Sequence, residues 1–309
     1  MFNTFIIIGE QILAMAFMVL IGYILAKIDF ISEKGMMEMS VLLLKVVVPM
    51  IIISSFQREF SFELLEKWLT MFFVSVLIYV ISIAVAHLLY RKKDEYACAE
   101  NRMSVVMPNN GFLAFPLMTA LVGELGVFLG SSNVVILNFL QWTYGTKLLA
   151  PKEKIRFKNI LLNPAVIAVV VGLLLFVSPW KFPQPVYTAI SAIGSLNTPL
   201  AMIVLGAMLA QSDIKKELKN IGIYKPALIK LILIPLIMIP IFLLIPVSNE
   251  IRTVGLICSV TPTATAVSMI SQLYGGEYKY STNVVVITTV LSAVTMPIIL
   301  AVGEFFIGY

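Results

Sequence analysis

The sequence repeats itself across its midpoint, and this repeat constrains the fold more than any other feature. Three pairs of landmarks lie 150 positions apart in similar surroundings: Gly22 and Gly172, Pro49 and Pro199, and the stretches 131–137 (SSNVVIL) and 281–287 (STNVVVI). A constant offset over such distances indicates that one half-sequence has been used twice. In a chain with 60% hydrophobic and only 13% charged residues, such a duplication is typical of membrane transporters built from two repeats.

The apolar segments predict an all-α, polytopic membrane protein. Soluble domains carry roughly 25% charged residues, about twice the fraction in this chain. A helix needs about 20 residues to cross the hydrocarbon core of a bilayer. We predict ten such helices, at 4–26, 36–56, 67–90, 98–121, 127–147, 159–178, 186–210, 226–246, 252–274 and 281–306.

The basic residues predict how these helices are oriented. Of the 22 Lys and Arg residues, 17 fall after predicted helices 1, 3, 5, 7 and 9, four fall on the opposite side, and Lys45 lies inside helix 2. This count assigns Lys230 to the loop after helix 7. Since basic loops stay in the cytoplasm, both termini are predicted to lie outside the cytoplasm of a multi-pass cell-membrane protein. Five helices per unit is an odd number, so residues 1–150 and 159–309 form inverted repeats joined by a cytoplasmic linker at 151–158.

Predicted helices 4 and 9 are interrupted near their middles. The interruptions consist of Pro108, Asn109, Asn110 and Gly111 in helix 4, and of Pro262, Thr263 and Thr265 in helix 9. Proline removes a backbone donor and clashes with the preceding turn, so each helix is expected to unwind. The freed groups must then face protein or a wet cavity. We expect the two asparagines and two threonines to cap the restarted half-helices; the alternative is an ordinary proline kink.

The topology predicts the sign of the electrostatic potential at the interruptions. In inverted repeats the second halves of helices 4 and 9 begin near the midplane from opposite directions, so their N-terminal ends converge. Each end carries about half a positive elementary charge and unpaired N–H donors. The crossover is therefore predicted to bind an anion such as a carboxylate, while carbonyls of the first halves can hold a cation.

These residues resemble the auxin efflux carrier family, which includes bacterial permeases and the plant auxin carriers. The string 108–117 (PNNGFLAFPL) resembles the family's proline–asparagine crossover, and Thr261-Pro262-Thr263 resembles the matching crossover in helix 9. The stretches 281–283 and 296–298 are similar to the family's last helix, and 195–206 to its helix 7. The likeness covers nearly the whole chain.

The resemblance implies an elevator-type carrier. Helices 1, 2, 6 and 7 would form a scaffold, and helices 3–5 and 8–10 a moving transport domain. Asn109 matches the family's substrate-contacting asparagine, and Asn138 lies where plant members have a polar residue in helix 5. Thr263 and Ile52 depart from the plant pattern, so a small organic anion is expected rather than auxin. The expected partners are this anion and the lipid bilayer, with no nucleic acid; a homodimer through the scaffold helices is compatible with the architecture.

Two charges lie inside the predicted helices. Lys45 is near the middle of helix 2, where an unpaired charge costs roughly 3 kcal/mol on insertion scales. Either Lys45 draws an anion into the cavity between scaffold and transport domain, or it pairs with Glu10 of helix 1. Both alternatives stay open at this point, and one residue can serve both roles.

The main alternative functions are a passive anion channel and, with less support, an intramembrane enzyme. The sequence contains no H-E-x-x-H, G-x-S-x-G or G-x-x-x-x-G-K-[ST] motif, which are the signatures of zinc, acyl-transfer and phosphate-binding enzymes. A single histidine cannot supply a metal cluster, so we predict a transporter that is not an enzyme, without metal or other cofactor. Proton coupling through Glu10, sodium coupling at the crossover and uniport are all compatible with the sequence.

Overall fold

Every regular element of the protein is a helix in the ranges that its computed structural model describes, residues 2–91, 97–155, 157–211 and 221–307 (backbone alone for 2–9, 11, 12 and 307). We number the helices after the ten predicted segments. They are α1 (Phe2–Lys27), α2 (Glu33–Ser55), α3 (Phe62–Leu89), α4a (Cys98–Val106), α4b (Asn110–Val122), α5 (Glu124–Leu149), α6 (Pro164–Val177), α7 (Gln184–Gln211), α8 (Ile221–Leu244), α9a (Asn249–Val260), α9b (Thr265–Leu273) and α10 (Tyr278–Ile307).

The helices coincide with the predicted segments to within a few residues. In the described ranges, six helices are long and apolar enough to cross a bilayer: α2, α3, α5, α7, α8 and α10. Shorter apolar helices are Leu13–Lys27, α4b and α6. The all-helical, multi-pass class is therefore confirmed, whereas ten crossings and inverted repeats stay predictions.

Proline explains an irregularity that recurs in three helices. Four turns are π-helical in the described ranges, and three of them end two residues before a proline: Leu43–Val47 before Pro49, Asn110–Ala114 before Pro116, and Ile229–Leu233 before Pro235. The fourth, Gln141–Gly145 in α5, has no proline directly after it. A proline has no N–H and its ring clashes with the carbonyl four residues earlier. Widening the preceding turn relieves this clash, and such π-turns are frequent at functional sites.

Lys230, which the charge count gave to the nearest loop although predicted helix 8 (226–246) contains it, lies inside α8 and not in a loop. Helix α8 begins at Ile221, earlier than predicted, and Lys230 lies within its π-turn with 1% of its surface exposed. The helix can begin early because Pro226 falls near its start, where a missing N–H costs no hydrogen bond. The basic residues Lys92, Lys93, Arg156, Lys215, Lys216 and Lys219 lie outside the described residues.

Two arginines cap equivalent helix ends in the two halves of the chain. The Arg102 Nε atom donates to the Tyr90 carbonyl at 3.1 Å, and Arg252 Nη2 donates to the Ile245 carbonyl at 3.4 Å. Tyr90 follows α3 and Ile245 follows α8, so each arginine satisfies a carbonyl that a helix end leaves free. The two arginines are 150 positions apart, which is the offset of the sequence repeat.

The helices pack into two groups. One group contains α1, α2, α6 and α7, with the closest pairings between α1 and α7 and between α2 and both α6 and α7. The other contains α3, α4a, α4b, α5, α8, α9a, α9b and α10. The groups meet where α5 packs against α2 and α6, and where α4b packs against α7. Movement of one group against the other stays a prediction.

Two glycines allow α1 and α7 to pack with their backbones in contact. A Cβ atom added to Gly206 would lie 1.9 Å from the Val19 carbonyl oxygen, and one added to Gly22 would lie 2.1 Å from the Ile203 carbonyl oxygen. Small residues permit such close approach between membrane helices, where packing rather than the hydrophobic effect drives association.

We expect Gly206→Ala to destabilise the protein, because the obstructing atoms belong to backbone and cannot rotate aside. Overpacking costs typically about 1–3 kcal/mol, which thermal unfolding of the purified protein in detergent would detect as a lower midpoint. The matched control is Gly35→Ala, whose Cβ would make an ordinary 3.4 Å contact with Ser32 Oγ. Equal midpoints for the two variants would contradict the proposed close packing.

Candidate functional site: the crossover of α4 and α9

The interruptions of helices 4 and 9 pair with each other. Pro108 and Thr263 form an antiparallel bridge. On one side of it, the Asn109 N–H donates to the Pro262 carbonyl at 2.8 Å; on the other, the Ala264 N–H donates to the Met107 carbonyl at 2.9 Å. Each unwound segment therefore satisfies backbone groups of the other, as burial away from water requires. The interruptions are thus a crossover rather than two independent kinks.

Threonine hydroxyls satisfy the carbonyls that the prolines leave without a donor. A proline cannot donate to the carbonyl four residues earlier, which is Ser104 for Pro108 and Cys258 for Pro262. Thr263 Oγ1 donates to the Ser104 carbonyl at 2.9 Å, and Thr261 Oγ1 donates to the Cys258 carbonyl at 3.2 Å. The fully buried Thr263 hydroxyl is therefore committed to the crossover itself.

The expectation that asparagine and threonine side chains cap the restarted helices is wrong. Asn109 and Ala264 occupy the N-cap positions of α4b and α9b, and neither provides a side-chain hydrogen bond. The cause is competition, because the Asn110 amide binds Asn133 and the Thr263 hydroxyl binds Ser104. First-turn N–H groups have no partner inside their own helix, so both half-helices begin at the crossover without a side-chain cap.

A buried polar cluster joins the first turn of α4b to α5 and α3. The Asn133 Oδ1 atom in α5 accepts from Asn110 Nδ2 and, at 2.7 Å, from the Tyr79 hydroxyl in α3. The Asn110 Oδ1 and Asn133 Nδ2 atoms are buried without a hydrogen-bond partner among the described residues. In the sequence, Asn133 stands out only as part of the repeated string at 131–137, and nothing marks Tyr79.

The remaining predicted site residues lie at different distances from the crossover. Asn109 is 4% exposed, and its side-chain amide makes no hydrogen bond with any described residue. Gly111 approaches α2, since a Cβ atom there would lie 3.1 Å from Leu44 Cδ2. Thr265 is half-buried at the start of α9b. Asn138 Nδ2 donates to the Val134 carbonyl in its own helix at 2.9 Å.

The two predicted charges do not form an ion pair. Lys45 and Glu10 are both exposed, and the ion pairs within the described ranges are Lys34–Glu38 and Lys67–Glu63. Lys45 lies in the π-turn of α2, one residue after Leu44, whose side chain approaches Gly111.

Comparison with protein families agrees with this architecture. A family model described as Membrane transport protein matches residues 7–159 and residues 153–300. The chain belongs to this family, the auxin efflux carrier type. No curated protein matches the chain. The chain is thus a membrane transporter, and the boundary between the two matched segments coincides with the predicted linker at 151–158.

Replacing the central acceptor of the buried cluster should destabilise this transporter. Asn133→Ala leaves the Asn110 amide and the Tyr79 hydroxyl without an acceptor, at an expected cost of about 2 kcal/mol or more. Tyr79→Phe removes only one donor and should cost about 1 kcal/mol. Thermal unfolding in detergent measures both; a loss in Tyr79→Phe equal to or greater than that in Asn133→Ala would contradict the central role of Asn133.

Proposed function

We propose that this transporter is a carrier for a small organic anion, a carboxylate, which binds at the crossover and crosses the cell membrane by elevator-type alternating access. In this proposal the chain makes ten crossings as two inverted five-helix repeats. The group containing α3–α5 and α8–α10 moves against the scaffold of α1, α2, α6 and α7. A homodimer through the scaffold belongs to the same proposal.

The observation that carries the proposal is the pair of uncapped helix beginnings held together by the crossover bridge. Partial positive charge and unpaired N–H donors at a helix N-terminus favour an anion. The Asn109 amide, which has no partner among the described residues, adds a donor directly beside them. The Thr263 hydroxyl contributes less to this binding because it is already bonded to the Ser104 carbonyl.

Charge distribution supports both the proposed orientation and the proposed cargo. Moving Lys230 from a loop into α8 leaves 16 basic residues on the predicted cytoplasmic side and four on the other. The positive-inside rule therefore still favours extracytoplasmic termini. The exposed Lys45 in α2 adds a cationic side chain that would attract an anion from solution.

Reconstitution into proteoliposomes tests the function. The probes are labelled pyruvate, lactate, succinate and malate, each measured with and without unlabelled anion on the opposite side. A carrier is expected to give saturable uptake that accelerates with unlabelled anion inside, whereas a channel gives unsaturable flux and single-channel currents. Uptake no faster than in protein-free liposomes for all four probes would refute the carboxylate assignment.

Asn109→Ala should weaken anion binding. A hydrogen bond to a charged group contributes about 1.5–3 kcal/mol, so the concentration for half-maximal uptake should rise about tenfold to a hundredfold. The control is Asn249→Ala, an exposed asparagine at the start of α9a. Wild-type affinity in Asn109→Ala would remove this side chain from the binding site.

Lys45→Met should slow uptake most at low ionic strength, because the lysine acts by long-range attraction. Electrostatic steering contributes about tenfold or more to an association rate, and added salt screens it. The measurement is the initial uptake rate at low and high salt, with the exposed Lys34→Met as control. A wild-type uptake rate and salt dependence in Lys45→Met would show that Lys45 does not attract the anion.

A further inference from the structure

Lys230 is a buried lysine that takes no part in the proposed anion site. It is 1% exposed, and no hydrogen bond or ion pair joins it to the residues that the structure describes. Its π-turn packs against α4a, α9a and α10. An unpaired ammonium group is expensive to bury, so such lysines inside membrane proteins are functional candidates.

Charged residues on the helices around Lys230 form hydrogen bonds with residues other than Lys230. On α4a, the Glu100 carboxylate accepts from Ser271 Oγ at 3.1 Å and from the Glu277 N–H at 2.6 Å. Arg102, also on α4a, donates to the Tyr90 carbonyl. Lys225, at the start of α8, donates to the Leu89 carbonyl at 3.1 Å.

The other charged groups lie near the helix ends. Glu250 and Arg252 lie in the first turn of α9a, while Lys279 and Glu304 lie near opposite ends of α10. The Tyr280 hydroxyl of α10 donates to Asn101 at 2.7 Å. Among the described residues, Lys230 therefore forms no ion pair with a carboxylate.

Lys230 lies close to the half-helices that lead into the crossover. Its π-turn packs against α4a, which ends before Pro108, and against α9a, which ends before Pro262. The Tyr79 hydroxyl binds Asn133, which binds Asn110 at the first turn of α4b. The lysine thus lies behind the proposed anion site, separated from it by side chains rather than by solvent.

We propose that Lys230 is the group that couples anion transport to protons. When the crossover is empty, the buried side chain is a neutral amine. When a carboxylate binds, the amine takes one proton from water on the open side and becomes an ammonium ion that compensates the anion. On the opposite side the anion leaves and the proton returns to water, so a monocarboxylate moves with one proton and without net charge. This inference rests on the proposed anion site.

Electrostatics sets the strength of this coupling. Two unit charges about 8 Å apart at an effective dielectric constant of about 20 shift an equilibrium about 30-fold. Because coupling is reciprocal, the anion favours the proton on Lys230 by the same factor as the proton favours the anion. A variant that cannot be protonated should therefore need about 30 times more anion for half-saturation.

Uptake driven by a pH gradient tests the proposal. Proteoliposomes at pH 7.5 inside and 6.5 outside, with the membrane potential held at zero by valinomycin and equal potassium, receive whichever of the four labelled carboxylates shows the fastest wild-type exchange. One proton per anion predicts about tenfold accumulation by the wild type. Lys230→Met should still exchange anion at raised concentrations but accumulate none. Lys152→Met, at an exposed site, should accumulate anion as the wild type does.

The outcomes separate the two proposals. If the wild type exchanges carboxylate but does not accumulate it, or if Lys230→Met still accumulates it tenfold, the proton-coupling inference is wrong and the anion site stands. If the wild type exchanges no carboxylate, the proposed function itself fails. Should Lys230→Met and Lys230→Arg both fail to fold, proton uptake by the wild type in detergent decides: about one proton per bound anion supports the proposal, and none overturns it.

Discussion

The structure depends on how two prolines in the middle of the protein are compensated. Each removes a donor at a depth where no water replaces it, and each is compensated by the other half of the chain. Backbone pairing around Pro108 and Thr263 satisfies the unwound segments. Each interruption relies on the other half of the chain for these hydrogen bonds. The crossover consequently exists only at the contact between the halves.

This compensation also determines the electrostatics of the site. The polar side chains at the starts of α4b and α9b hold the crossover and bind α5 instead of capping their own helices. What remains at the centre is a pair of helix beginnings without side-chain caps. In the proposed function, a bound carboxylate would supply acceptors to these helix beginnings, whose partial charge is positive.

The sequence predicted the helices and the crossover, because both follow from local chemistry. Apolar length fixed the helix bounds, and Pro108 and Pro262 marked the interruptions. Side-chain competition was not predictable, since Asn110 could choose between its own helix and Asn133, 23 residues away. Lys230 falls within predicted helix 8, but the sequence gives no sign that its side chain is buried. Only packing against α4a, α9a and α10 shows that the lysine is buried.

The same residue type that breaks the two central helices also positions the two lysines. Pro49 and Pro235 each lie two residues after a π-turn, and these turns contain Lys45 and Lys230 respectively. A π-turn rotates the following residues relative to a regular helix, so a single lysine faces a different neighbour than the apolar periodicity predicts. In α2 the result is an exposed lysine. In α8 the result is a lysine buried against α4a, α9a and α10.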